Sequence, residues 1–217
     1  MPDTSPSTLR DGPRRGLLIA VEGGEAAGKS TQAALLASSL GAEVSREPGG
    51  SAFGERVRGL LLDPAIGSMD ARAELMMMLA ARAQHVAERL RPWIDDGLDV
   101  VVDRYSGSTL AYQGYGRGLP LEALRVACDL ATGGLWPDLT ILLDVPLEES
   151  GTRRAGSPRD RIESEDDDFH VRVRRGYLEL AVAEPTTWVV IDGAAEPEEV
   201  ATRVLTAFRE RLGSQQS

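Results

Sequence analysis

The stretch Gly23-Gly24-Glu25-Ala26-Ala27-Gly28-Lys29-Ser30 fits the pattern G-x-x-x-x-G-K-[ST]. It stands between an apolar run, Leu17 to Val21, and a segment carrying Leu35, Leu36 and Leu40 at helical spacing. A strand, a glycine-rich loop and a helix in that order form a phosphate cradle. The glycines let consecutive backbone N–H groups curl around phosphate oxygens, the helix N-terminus adds the positive end of its dipole, and Lys29 supplies a point charge. Ser30 is placed to hold Mg2+ through its hydroxyl, with Thr31 beside it in the first helical turn. A chance glycine-rich turn, or a loop that has lost its nucleotide, is the competing reading, and the correct flanking elements weigh against it. The loop alone does not separate a kinase from a GTPase or a motor.

The rest of the chain predicts a fold around this loop. Apolar runs at Leu17–Val21, Glu43–Ser45, Leu98–Val102, Leu139–Leu143 and Trp188–Ile191 alternate with longer segments of helical period. Val100, Val101 and Val102 are consecutive, as are Ile141, Leu142 and Leu143. Continuous apolarity means that both faces of a strand are covered, as in a parallel sheet between helix layers. The helices are expected at 28–40, 52–62, 71–95, 121–131, 147–154, 165–183 and 197–212. The fold class is therefore α/β, a doubly wound five-stranded parallel sheet flanked by helices. Residues 16–212 are expected to form one domain, after a disordered extension (1–15) and before a short tail (213–217).

A length of 217 residues suits one domain, and the net charge of −10 argues against nucleic acid or an acidic membrane surface as the main partner. It leaves room for a small phosphorylated ligand, which responds to local charge. Cys128 is the only cysteine, so no intrachain disulfide is possible, which fits a reducing, cytoplasmic compartment. In its apolar helical stretch it reads as a small buried hydrophobe. No apolar run reaches membrane-spanning length, and the first fifteen residues lack the apolar segment of a signal peptide.

Three constellations extend the reading to a second ligand. The third strand ends in Asp103-Arg104-Tyr105, followed by Ser106, Ser108, Thr109, Tyr112 and Gln113. Carboxyl ends of parallel strands open into the ligand crevice, where an Asp can orient magnesium and an Arg can fork two phosphate oxygens. A local Asp103–Arg104 ion pair is the alternative, made awkward because adjacent strand side chains point to opposite faces. Arg46-Glu47-Pro48-Gly49-Gly50 follows the second strand at the same edge. It is a turn by itself and an acceptor wall beside a phosphate loop, with a cis peptide before Pro48 as one option. Glu74, Met78, Arg82 and His85 share one face of the long third helix. Arg82 there either reaches a base edge or pairs with Glu74 or another carboxylate, and His85 reads as structural.

Arg153, Arg154, Arg159 and Arg161 crowd a segment broken by Gly156 and Pro158 and followed by an acidic run from Glu163 to Asp168. Alone, that would be a solvated loop of offsetting charge. Beside a phosphate loop it reads as an arginine-bearing lid at about 154–163, because an arginine on the transferring phosphoryl group is worth roughly a thousandfold or more in rate.

Together these residues resemble the thymidylate kinase family from about Leu17 to Asp192. The resemblance is carried by Glu22 to Thr31, Arg46 to Gly50, Ala80 to His85, Asp103-Arg104-Tyr105, Ala111 to Gly114, Gly116-Arg117-Gly118, Pro137 to Thr140 and Asp160 to Glu163, in the family's order. It implies a nucleoside-monophosphate-kinase-like P-loop fold with a short lid, and transfer of the γ-phosphoryl of ATP to dTMP. ATP would lie on Gly23, Gly24, Glu25, Ala26, Ala27, Gly28, Lys29, Ser30 and Thr31, with magnesium at Ser30 and Asp103. Lys29, Asp103, Arg104, Arg153, Arg159 and Arg161 would be catalytic. The acceptor would be held by Glu25, Glu47, Pro48, Met78, Arg82, Arg104, Ser108, Thr109, Tyr112 and Gln113. Within that set, Arg104 takes the phosphate, and Arg82 and Thr109 take the thymine edge. Residues 192–196 would wall the adenine. The lid arginines are similar to the bacterial version of the family, and the family's pairing implies a homodimer. Met78 departs from the pattern, standing where the family usually places a phenylalanine that stacks on thymine. A nucleoside kinase using Glu47 as base and a non-catalytic nucleotide switch are the alternatives.

Overall fold

The computed structural model describes residues 14–153, 156 and 158–213 of the chain. Strands β1 (Leu18–Gly23), β2 (Glu43–Arg46), β3 (Val100–Asp103), β4 (Leu139–Asp144) and β5 (Trp188–Asp192) form one sheet in the order β2-β3-β1-β4-β5. Every pairing is parallel. The registers bring Val21 and Arg46 level with Asp103, and Gly23 level with Leu143. The phosphate loop, the Arg46–Gly50 turn and the Asp103-Arg104 pair therefore open at one edge of the sheet.

Both faces are covered, as the unbroken apolar runs require. Leu17, Ile19 and Val21 pack on one side with Leu36 of α1 (Lys29–Leu40) and with Val204 and Phe208 of α9 (Pro197–Leu212). Leu18 and Ala20 face the other side with Val100, Val102, Leu90 and Tyr105. Each fully buried side chain of this size contributes about 1.5–3 kcal/mol relative to exposure. The short, mixed β2 is one of the two edge strands, and Val44 is half exposed accordingly.

Helix α2 (Ala52–Leu62) starts on Ser51, whose hydroxyl accepts from Gly54 N. Helices α6 (Leu121–Thr132), α7 (Leu147–Arg153) and α8 (Asp167–Ala183) lie where their periodicity predicts. The long third helix is interrupted. It runs as α3 (Ala71–His85), a π turn at Val86–Leu90 and α4 (Arg91–Asp95), widening just before Pro92, which has no N–H to donate and whose ring crowds the preceding turn. Val86 and Leu90 belong to the core, whereas Met76 is exposed.

An element without a sequence signal is α5 (Ser106–Thr109), which continues as a π turn at Leu110–Gly116. Ser, Thr and Gly favour helix poorly, and packing overrides them here. A Cβ at Gly107 would stand 2.8 Å from Glu22 Oε1, so only glycine lets this segment approach β1 so closely. Residues 1–13 of the expected extension lie outside the described residues. Arg14 and Arg15, which the expectation placed in that extension, pair with Asp99 and Asp138 at the opposite end of the strands.

Candidate active site

In the phosphate loop Gly28 caps α1 in the left-handed conformation (φ 85°), which aims the first helical N–H groups at the loop's hollow. Lys29 is buried and its Nζ donates to Gly24 O at 2.6 Å. Burial pushes its ammonium down to about 8, Arg104 adding to the effect and Glu25, Asp103 and Glu22 opposing it. Ser30 Oγ donates to Asp103 Oδ2 at 2.5 Å. The other oxygen, Asp103 Oδ1, is buried with no hydrogen-bond partner among the described residues.

Arg104 takes a left-handed backbone conformation (φ 67°) that is costly for a residue with a Cβ, and its contacts hold it there. Its guanidinium donates to Gly23 O (3.1 Å), Glu25 Oε1 (2.6 Å), Tyr112 OH (3.1 Å) and Ser108 Oγ (3.3 Å), and lies 4.9 Å over the Tyr112 ring. The neighbouring Asp103 faces Ser30, so the two residues serve opposite sides of the strand end. Burial raises the Glu25 carboxyl, but the charges of Arg104 and Lys29 outweigh it and hold it at about 2.

Glu47, preceding a cis Pro48, is buried between Arg82 and His85. Its Oε2 accepts from Arg82 Nε (2.7 Å) and its Oε1 bonds His85 Nδ1 (2.9 Å). Arg82 also donates to Thr109 Oγ1 and Tyr105 O, both at 2.9 Å. Its structural carboxylate is thus Glu47, and Glu74 pairs with Arg117 and Arg161 instead. His85 is structural, as read, and bonds Ser45 Oγ through Nε2. Cys128 is buried and its thiol is pushed up by burial.

Two cavities meet over these groups. One, of about 700 Å³ counted to its open mouth, is lined by Pro48, Met78, Arg82, Ser108, Thr109, Tyr112 and Gln113 among others. The second, of about 910 Å³, is lined by Ala26, Gly28, Lys29, Ser30, Thr31 and Arg153. Glu25, Glu47, Arg58 and Arg104 line both. The hollow over the phosphate loop and the hollow beside Arg82 are therefore separated only by carboxylates and guanidiniums.

A family model described as thymidylate kinase matches residues 21–204. The thymidylate kinase of Desulfovibrio desulfuricans is 47% identical over 209 residues, covering 90% of this chain and 96% of its own. The chain belongs to the thymidylate kinase family. The family member from Deinococcus radiodurans is 46% identical over 204 residues, covering 91% and 98% of the two chains. A crystal structure of thymidylate kinase from Ehrlichia chaffeensis superposes with a TM-score of 0.75 at 29% identity, covering 90% of this chain and 99% of that one.

Of the four arginines read together as the lid of this thymidylate kinase family member, three lie among the described residues, and their surroundings differ. Arg153 lines the phosphate-loop cavity and donates to Gly193 O (3.1 Å) and Ala194 O (3.0 Å), joining that cavity to the 192–196 turn. Arg159 is exposed and bonds none of the described residues. Arg161 is a correction to the expectation: it is buried, donating to Glu74 Oε2 at 2.6 Å and Leu61 O at 2.8 Å, and lines neither cavity. A carboxylate on α3 captures it, so it anchors its segment. Residues 154, 155 and 157 of the expected lid lie outside the described residues.

Several residues escaped the sequence reading. Glu22 is fully buried at the end of β1 and accepts from Tyr105 N, Ser108 N, Ser108 Oγ and Tyr177 OH, which fixes the corner that carries Arg104. An acidic residue closing an otherwise apolar strand was the available signal. Arg58 borders both cavities and donates to Pro48 O at 3.0 Å, with nothing in its helical spacing to mark it. Asp160, Ile162 and Glu163 add an outer wall to the Arg82 cavity.

Proposed function

We propose that this chain transfers the γ-phosphoryl group of ATP to dTMP, giving dTDP and ADP. The observation that carries the reading is the shared wall of the two cavities: a donor on the phosphate loop and an acceptor beside Arg82 would meet at Arg104, Glu25 and Arg58. Membership of the thymidylate kinase family supports the same reaction. The acceptor phosphate is largely dianionic at neutral pH, so its oxygen is already a nucleophile and the protein need only position it and neutralise charge.

The contacts support the following roles. Lys29 and the loop amides take the β- and γ-phosphates. Arg104, held by Gly23 O, Glu25, Ser108, Tyr112 and Tyr177, would turn the rest of its guanidinium to the acceptor phosphate, and the ionised Glu25 would accept from a sugar hydroxyl. Arg82, Thr109 and Gln113 stand at the inner end of the acceptor cavity as readers of the pyrimidine edge, and Met78 supplies an adaptable apolar surface for the ring. Arg153 is the arginine we assign to the transferring group. Ser30 Oγ and the unpartnered Asp103 Oδ1 fit Mg2+, which binds through few protein oxygens and keeps water and phosphate ligands. The ion would neutralise charge on the ATP phosphates.

A nucleoside kinase needs a base for a neutral hydroxyl, and Glu47 was its candidate. Both Glu47 oxygens are taken by Arg82 and His85, and its carboxyl, raised by burial, is held below the usual range by Arg82 and His85 together. That favours an acceptor already bearing phosphate. Offered separately with ATP, dTMP should be converted to dTDP while thymidine is turned over at least about a hundredfold less well, a loss on the order of 2.7 kcal/mol. Phosphorylation of thymidine but not of dTMP would reverse the assignment, and tight ATP binding without transfer to any monophosphate would favour a switch.

We further assign the chain to the cytoplasm; no described helix is long and apolar enough to cross a membrane. A homodimer through α3, with Met76 exposed on its surface, completes the proposal.

A further inference from the structure

Glu74 lies on α3 with its side chain inaccessible to solvent, and it lines neither cavity. Its Oε1 accepts from Gln113 Nε2 (2.9 Å) and Arg117 Nε (3.2 Å), and its Oε2 from Arg117 Nη2 (3.0 Å) and Arg161 Nη2 (2.6 Å). Arg117 continues to Glu165 (2.7 Å) and lies 4.7 Å over the Phe169 ring. Arg161 is fixed on its other side by Leu61 O, and its own backbone N–H bonds Leu62 O.

One carboxylate thus joins two parts of the chain that both line the acceptor cavity: Gln113 in one, and Asp160, Ile162 and Glu163, the neighbours of Arg161, in the other. An ionised carboxylate only accepts, so Gln113 must turn its NH2 group to Glu74, which leaves its carbonyl oxygen for the cavity. Within 160–163 the turn closes on itself, with Asp160 Oδ1 accepting from Ile162 N and Glu163 N, and its hydrogen bonds to α2 and α3 are those of Arg161, to Leu61 O, Leu62 O and Glu74.

We propose that Glu74 is a positioning residue that sets the two walls of the acceptor cavity against each other, orienting Gln113 on one side and placing the 160–163 turn through Arg161 on the other. This rests on the reading of that cavity as the dTMP site. It makes acceptor recognition depend on a group that never touches the acceptor.

Removing Glu74 itself would leave the buried Arg161 without its carboxylate and take one of two carboxylates from Arg117, and such a variant can fail to fold. The informative test is a double-mutant cycle on its two dependants, Gln113→Ala and Arg161→Met, which bond Glu74 and not each other. Steady-state kinetics and thermal melting are measured on the folded full-length chain. Each single variant should raise KM for dTMP about tenfold or more while KM for ATP moves less than about threefold. The double variant should fall short of the product of the single effects on kcat/KM for dTMP by at least about fivefold, because once one wall is released the other tie has little left to hold. Arg161→Lys, which keeps one charged donor for Glu74, should recover part of the loss and replaces Arg161→Met in the cycle if the latter does not fold. Effects that multiply to within about twofold, or KM values for dTMP and ATP that rise together, would overturn the proposal. Native enzyme that fails to turn over dTMP would instead overturn the functional reading itself.

Discussion

Replacing Lys29 with alanine lowers kcat for dTDP formation by about a thousandfold, the scale on which removal of one charge-stabilising donor acts on a transition state, and leaves the fold in place. The second half of that result comes from the contacts. Lys29 makes one hydrogen bond, to Gly24 O, and its charge is disfavoured first by burial and then by Arg104. Its removal strands no anion, since Glu25 keeps Arg104 and Asp103 keeps Ser30. The stability change should stay within about 1 kcal/mol. The same lysine gives a proton signature. In the free protein it titrates at about 8, and the phosphates of ATP raise that value. ATP binding at pH 8 should therefore take up about half a proton through Lys29, the uptake growing and the affinity falling as pH rises further. Calorimetry in two buffers of different ionisation enthalpy measures this. In Lys29→Ala the lysine's share of the uptake should vanish, and near-normal turnover by that variant would discard the mechanism.

The second large effect falls on stability. Glu47→Ala leaves Arg82 charged, buried and without its carboxylate, and deprives His85 of the same partner; the two side chains are 3% and 0% exposed. Breaking a buried pair from one side costs about 3–5 kcal/mol. For a chain of this size each kcal/mol shifts Tm by about 2–4 °C, so a fall on the order of 10 °C is expected in a thermal melt. Burial raises the Glu47 carboxyl but Arg82 and His85 together lower it further, so its folded value lies below 4.5. Its stabilisation is then fully present above pH 4.5 and fades as pH falls through the lowered value, where the native protein should converge on the variant. Glu199→Ala, which breaks an exposed pair with Arg203 one helical turn away, should cost no more than about 0.5 kcal/mol. Equal losses in the two variants would contradict the buried role of Glu47.

The strands and the phosphate loop were legible because their signals are local. Val100 to Val102 can be covered on both faces only inside an α/β sheet, and the spacing of Gly23, Gly28, Lys29 and Ser30 carries its own geometry. Segment 106–116 was not legible as a helix, because Ser106, Gly107, Ser108 and Thr109 are poor helix formers held by packing against β1 and α8. Arg161 was misassigned for a related reason. Chain proximity to Arg153 and Arg159 suggested a shared task, whereas its partner Glu74 lies 87 positions away and only the fold brings them together. Arg82 shows the same limit from the other side: its burial could be foreseen from the apolar face around it, but the choice of Glu47 over Glu74 is tertiary. Glu22 was visible only as an acid at a strand end, and its four donors lie 83 to 155 positions further along the chain.

The central claim, that one hollow receives a monophosphate while the phosphate loop receives ATP, is tested most directly by a crystal structure of the protein with dTMP and a non-hydrolysable ATP analogue. The account predicts the pyrimidine ring beside Met78 with its edge on Arg82, Thr109 and Gln113, and the phosphate on Arg104 facing the analogue's terminal phosphate across Glu25. A dTMP molecule bound elsewhere, or turned so that its phosphate points away from Arg104 and the loop, would contradict it.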